Sequence, residues 1–140
     1  DYEAVVAWDV LEHLKDPLAF LTQINSIMKQ NGVFCFSTLD VDNWFPKLMG
    51  KHWPWLMDMH LFYFNSNTTE QFLNRAGFKI IRAERYVHYM SIPYLAEKIN
   101  AILPYGLGSP FYFIRKVMPQ HLLVPFSFGD IKLYICVKEY

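Results

Sequence analysis

The stretch Tyr2–Thr38, YEAVVAWDVLEHLKDPLAFLTQINSIMKQNGVFCFST, decides how the rest of the chain reads. Its first segment, Tyr2–Trp8 (YEAVVAW), is short, apolar and rich in Val, the pattern of a parallel strand buried on both faces. After the connector Val10–Lys15, Asp16 is placed to cap a helix beginning at Pro17. A missing N–H costs nothing there, because that donor has no helical partner anyway. Leu18, Leu21, Ile24 and Met28 form one apolar stripe at spacings of three and four, and Asn31-Gly32 supplies a left-handed stop. Val33–Thr38 (VFCFST) then reads as a second buried strand. The order strand, helix, strand predicts a right-handed parallel crossover, and so an α/β sheet that is at least partly parallel.

Further along, a short helix is expected around Asn43–Met49, followed by an aromatic stretch from Trp53 to Phe64. A capped helix is expected over Asn67–Ala76, ended by Gly77. Phe78–Tyr86 reads as a third strand, more exposed because it carries Lys79, Arg82 and Arg85. Ile131–Val137 (IKLYICV), introduced by the turn residues Gly129-Asp130, reads as a fourth. Between these two strands lies an insertion, His88–Phe128, rich in Tyr, Leu and Pro. Two helices are expected in it, near Ile92–Leu103 and Ser109–Met118. They would cover the sheet and, in a functional role, form a lid over an apolar or lipid-linked substrate.

Composition narrows the function classes. The 140 residues are 53% hydrophobic and 19% charged, which describes a packed domain or part of one. Basic and acidic residues number 13 each, so no long-range field draws in a phosphate backbone or an anionic membrane, and nucleic acid is not expected as a partner. No apolar run reaches the roughly 20 residues that span a bilayer; Ile99–Phe113 is interrupted by Pro104, Gly106, Gly108 and Pro110. The chain starts at Asp1 with no basic leader, which suggests a beginning in mid-domain. Cys35 and Cys136 each sit in an apolar strand, as reduced thiols of a cytoplasmic protein would. A bridge between neighbouring strands stays open but disfavoured.

Four segments together carry a family likeness. WDVLEHLKDPLAFL (Trp8–Leu21), NGVFCFSTLDVDNW (Asn31–Trp44), HLFYFNSNTTEQFLNRAGF (His60–Phe78) and FGDIKLYICVKE (Phe128–Glu139) resemble, in order and spacing, the later strands and helices of class I S-adenosylmethionine-dependent methyltransferases. The similarity is greatest to the branch with the ubiquinone-biosynthesis O-methyltransferases. It implies the C-terminal half of a Rossmann-like, doubly wound sheet with an antiparallel last strand. It implies methyl transfer to a small-molecule, sugar or lipid-linked acceptor, O- or N-directed, with S-adenosylmethionine as cofactor. The family's Gly-rich turn and its ribose-binding acidic residue belong to an N-terminal half that this sequence does not contain. Gly106 and Gly108 do not replace that turn, because no buried parallel strand precedes them. The piece is therefore expected to bind cofactor weakly and to be inactive alone, and Tyr2–Trp8 becomes an apolar sheet edge open to self-association.

Ligands of such sheets sit beyond the carboxyl ends of the strands, so Trp8–His13 should line the cleft. Trp8, Asp9 and Val10 are the expected cofactor-side residues. Glu12, His13 and His60 are the expected catalytic ones, with the His13 imidazole as general base and Glu12 or Asp9 orienting it. A second role makes Asp9, Glu12, His13 and His60 a divalent metal site, as in relatives with E-x-x-E-H and a distant His; here Asp replaces the first Glu, one methylene shorter. The plain alternative is structural, with Glu12 capping or pairing locally and both histidines bonded within loops. Trp44, Trp53 and Trp55 read as core more readily than as substrate platforms. Against the enzyme stands a truncated, non-catalytic scaffold of the same fold. A nicotinamide-dependent enzyme fits less well, because the last strand looks antiparallel.

Overall fold

The computed structural model describes residues 1–102, 113, 118–119 and 121–139. Its elements run β1 (Tyr2–Ala7), α1 (Pro17–Ile27), β2 (Met28–Leu39), α2 (Trp44–Met49), α3 (Ser66–Arg75), β3 (Phe78–Arg85), β4 (His88–Ser91), α4 (Ile92–Ile102), β5 (Leu123–Phe126) and β6 (Ile131–Lys138), with single 3-10 turns at Leu11–His13 and Gly50–His52. They form two compact units, residues 1–86 with 128–140, and residues 87–127.

In the first unit the sheet order is β1-β2-β6-β3. β1 pairs in parallel with β2, whereas β6 is antiparallel to both β2 and β3. Three strands thus share one direction and the last opposes them, which is the mixed α/β sheet expected. The connection from β1 to β2 passes through α1 for the reason seen in the sequence. The Asp16 carboxylate accepts the Ala19 N–H at 2.9 Å, and Pro17 takes the first helical position.

The helix ends earlier than its apolar stripe suggests. Met28 does not close the stripe but opens β2, opposite Tyr2. Asn31 does adopt a left-handed φ of 61°, but inside β2, where the pairing register slips between Tyr2 and Ala4. At the helix end Asn25 O accepts both the Met28 N–H and Lys138 Nζ, the latter at 2.7 Å, and Lys138 Nζ also donates to Met28 O at 2.9 Å. This clasp from the far end of the chain holds the helix end at Ile27 without a glycine cap.

α3 begins one residue before expectation, because Asn65 and Thr68 form a reciprocal capping box. Gly77, at φ 77°, turns the chain from α3 into β3. Leu21, Phe34, Phe36, Leu73, Phe78, Tyr134 and Cys136 are each at most 1% exposed and make the main core, with Phe36 stacked on Tyr134 at 5.2 Å between centroids. Fully burying one such side chain contributes about 1.5–3 kcal/mol. A smaller cluster of Leu39, Phe45, Trp53 and Ile131 supports the carboxyl end of β2. There the Trp53 indole N–H donates to Asp130 Oδ2 at 2.9 Å, which makes Trp53 a core residue.

Cys35 lies opposite Ile135, and Cys136 opposite Phe34, so the two thiols sit on adjoining strands but on different faces of the sheet. Both are free.

In the second unit, β4 pairs antiparallel with β5 from His88↔Phe126 to Ser91↔Leu123, and α4 follows β4 directly. These two short strands are not evident from the sequence. The helix expected near Ile92–Leu103 is present as α4; the one expected over Ser109–Met118 falls almost entirely outside the described residues. No helix among the described residues is long and apolar enough to cross a membrane.

Candidate active site

The carboxyl end of β1 makes an abrupt exit from the sheet. Asp9 takes a positive φ of 50°, a conformation that Asp tolerates better than most residues. It is held there at two points by Ser37, whose Oγ accepts the Asp9 N–H at 3.0 Å and donates to Asp9 Oδ1 at 2.7 Å. The chain then enters the 3-10 turn Leu11–His13, which buries Leu11 and Glu12 and leaves His13 exposed.

Glu12 anchors the far loop to this turn. Its carbonyl oxygen accepts the N–H of Leu61 at 2.7 Å and of Phe62 at 3.1 Å. That pairing carries His60 to the tip of β1. The side chain of Glu12, 1% exposed, accepts the Thr38 hydroxyl at Oε2, 3.0 Å away. Burial pushes its carboxyl above the ordinary value; hydrogen bonds from its own backbone and from Thr38 pull the other way, nearby Asp9 adds to the rise, and His13 lowers it.

The His13 and His60 rings meet edge to face, centroids 4.6 Å apart. His13 Nδ1 lies 3.1 Å from Met59 O, and His60 Nδ1 lies 2.7 Å from Trp55 O. A carbonyl oxygen only accepts, so each Nδ1 carries the hydrogen and the neutral ring keeps its lone pair on Nε2. One carboxylate oxygen of Glu12 and one ring nitrogen of each histidine lie within 4.8 Å of one another. Two imidazoles and a carboxylate in that arrangement can accept a proton, stabilise the imidazolium that forms, or hold a divalent cation.

Of the residues singled out in the sequence, Glu12, His13 and His60 are brought together and Asp9 is not part of their cluster. The reason is the alternation of β2: Ser37 and Thr38 are consecutive, so their side chains leave opposite faces, and each takes one of the two acids. Trp8 is half exposed, with its ring 5.9 Å from that of Tyr86, and Val10 is half-buried against the core. In the sequence Ser37 and Thr38 read as plain strand residues. Both are fully buried, and the available signal is two hydroxyls directly after the apolar run Val33–Phe36, near the carboxyl end of β2.

A family model described as a methyltransferase domain matches residues 1–83, which include all of this cluster. The chain belongs to the methyltransferase-domain family. No curated protein sequence matches it. Among solved structures it is similar to a SAM-dependent methyltransferase from Thermotoga maritima, with TM-score 0.57, 11% identity, and coverage of 99% of this chain and 56% of that one. It is also similar to a chain in the complex of the Haloferax volcanii Trm112 methyltransferase activator with its methyltransferase, with TM-score 0.59, 13% identity, and coverage of 99% and 54%. The [4+2]-cyclase SpnF shares the fold as well, with TM-score 0.52, 16% identity, and coverage of 97% and 49%. At these identities the likeness is one of fold. The chain spans about half the length of these structures.

Proposed function

We propose that the intact protein transfers a methyl group from S-adenosylmethionine to an oxygen or nitrogen of a small-molecule, sugar or lipid-linked acceptor, and that this chain provides the acceptor-side half. The observation that carries the reading is the meeting of His13, His60 and Glu12 at the carboxyl end of β1, in a chain of the methyltransferase-domain family. In methyl transfer the carbon–sulfur bond breaks as the bond to the acceptor forms, and the acceptor loses a proton. His13 takes that proton on Nε2. Glu12 stabilises the resulting imidazolium, and His60 holds the acceptor against the pair. Trp8, Asp9 and Val10 belong to the cofactor side, where an indole face and a carboxylate suit the positive sulfonium.

The short separations within the cluster favour a second reading, in which Glu12, His13 and His60 hold a divalent cation. The donor set fits: each ring is fixed through Nδ1 by a carbonyl, the usual orientation of ligating histidines. Such an ion would supply Lewis acidity to the acceptor hydroxyl. Asp9, committed to Ser37, is not needed in this set.

The fold also serves a [4+2]-cyclase, so activity must be read directly. The test is transfer of labelled methyl from S-adenosylmethionine by the intact protein across a panel of phenols, amines, sugars and lipid-linked hydroxyls, with and without Mg²⁺ or Mn²⁺. Transfer supports the reading. Absence of both methyl transfer and cofactor binding by calorimetry supports a non-catalytic scaffold.

A further inference from the structure

Two consecutive hydroxyls at the end of β2 face opposite ways, and each holds one of the two acids that leave β1. Ser37 grips Asp9 through both its backbone N–H and its carboxylate, and Thr38 donates to the carboxylate of Glu12. Neither hydroxyl is exposed to solvent. Glu12 is buried as well, so no water competes for its bond to Thr38 and loss of that hydroxyl leaves the carboxylate unsatisfied; Asp9 is exposed, and what Ser37 fixes there is the geometry of the turn. Rotating Glu12 would cost the Thr38 bond in a place where no solvent replaces it. Releasing Asp9 would free a residue whose left-handed backbone is otherwise disfavoured.

We propose that Ser37 and Thr38 are positioning residues that assign Asp9 to the cofactor side of the β1 tip and Glu12 to the imidazole cluster. The proposal rests on the methyltransferase reading for its kinetic consequence, but its geometric content stands apart from that reading. Thr38 sets where the Glu12 carboxylate lies relative to His13 and His60, and so acts on the chemical step. Ser37 sets the exit turn through Asp9, and so acts on cofactor binding. Because the two side chains project from opposite faces of one strand, the two effects separate.

The test compares Thr38→Val, Thr38→Ser and Ser37→Ala in the intact protein. Val keeps the shape of Thr without the hydroxyl, whereas Ser keeps the hydroxyl. Thr38→Val is expected to lower kcat by about 10- to 100-fold with the cofactor KM within about threefold of wild type, and Thr38→Ser to restore most of the loss. Ser37→Ala is expected to raise the cofactor KM about tenfold with a smaller effect on kcat. A wild-type kcat in Thr38→Val, or the same kinetic signature in both variants, overturns the proposal. If the wild type transfers no methyl group, the functional reading fails and crystal structures of the variants decide the positioning. Glu12 displaced from His60 in Thr38→Val, and Asp9 out of its left-handed turn in Ser37→Ala, then support it; both residues unmoved overturn it.

Discussion

His13 and His60 present their rings edge to face at 4.6 Å, and each spends its Nδ1 hydrogen on a backbone carbonyl of the same loop, Met59 for one and Trp55 for the other. The two rings are thereby oriented by backbone and left with Nε2 for chemistry. Replacing His13 by Asn should cost roughly 10²–10⁴-fold in turnover, the usual worth of a general base. His13 is exposed but donates a hydrogen bond to Met59, so its removal should lower the unfolding free energy by only about 1 kcal/mol. Steady-state kinetics and a urea titration on the same sample check both halves.

Glu12 should show the opposite balance, function obtained against stability. Its folded carboxyl titrates above the ordinary 4.5, with burial as the main cause. A group whose folded value is raised contributes stability below its unfolded value and loses that contribution as pH rises through the folded one. Wild-type protein should therefore fall relative to Glu12→Gln as pH climbs above about 4.5, and the variant should be at least as stable near neutrality. Thermal midpoints of the two proteins from pH 4 to pH 8 test this. A Gln variant losing ground as pH rises would show that Glu12 is held as a favourable charge.

The two cysteines should differ in reactivity. Burial pushes the Cys136 thiol up to about 12, whereas Cys35 is raised by burial from a half-buried position. The thiolate is the nucleophile, so iodoacetamide at pH 8 should label Cys35 well before Cys136 in the folded protein, and both equally in denaturant. Mass spectrometry of the labelled peptides reads the ratio. The raised Cys136 value also predicts stability lost above pH 9, once the unfolded chain gives up its proton and the folded one does not.

Within the described sheet β1 pairs on one side only, with β2. Tyr2, Val6 and Trp8 are 61%, 62% and 47% exposed beside that open edge. We expect the isolated chain to self-associate there, and Val6→Lys to reduce the association by placing a charge on the strand. Light scattering across a concentration series reports it; a monodisperse monomer at high concentration contradicts it.

Some of this molecule was legible in its residues and some was not, for identifiable reasons. Asp16-Pro17 announces α1 because a cap and a fixed φ act locally, and Gly129, at φ 79°, announces the turn into β6. The end of α1 is not legible locally, because the group that clasps it is Lys138, from the far end of the chain. β4 and β5 give little signal in the sequence because each has four residues and β5 contains Pro125, which weakens any strand pattern. In the site, the nearness of Glu12 to His13 follows from sequence, and that of His60 from family likeness. The separation of Asp9 from them depends on which face of β2 each hydroxyl occupies. Only the register of the assembled sheet determines that.

The most direct measurement is the rate of methyl transfer by the intact protein carrying His60→Asn, taken together with its affinity for S-adenosylhomocysteine. A drop in turnover of roughly 10²-fold or more at unchanged affinity is expected if His60 completes an acceptor-side cluster with His13 and Glu12. Undiminished turnover, or a loss confined to cofactor affinity, would contradict it.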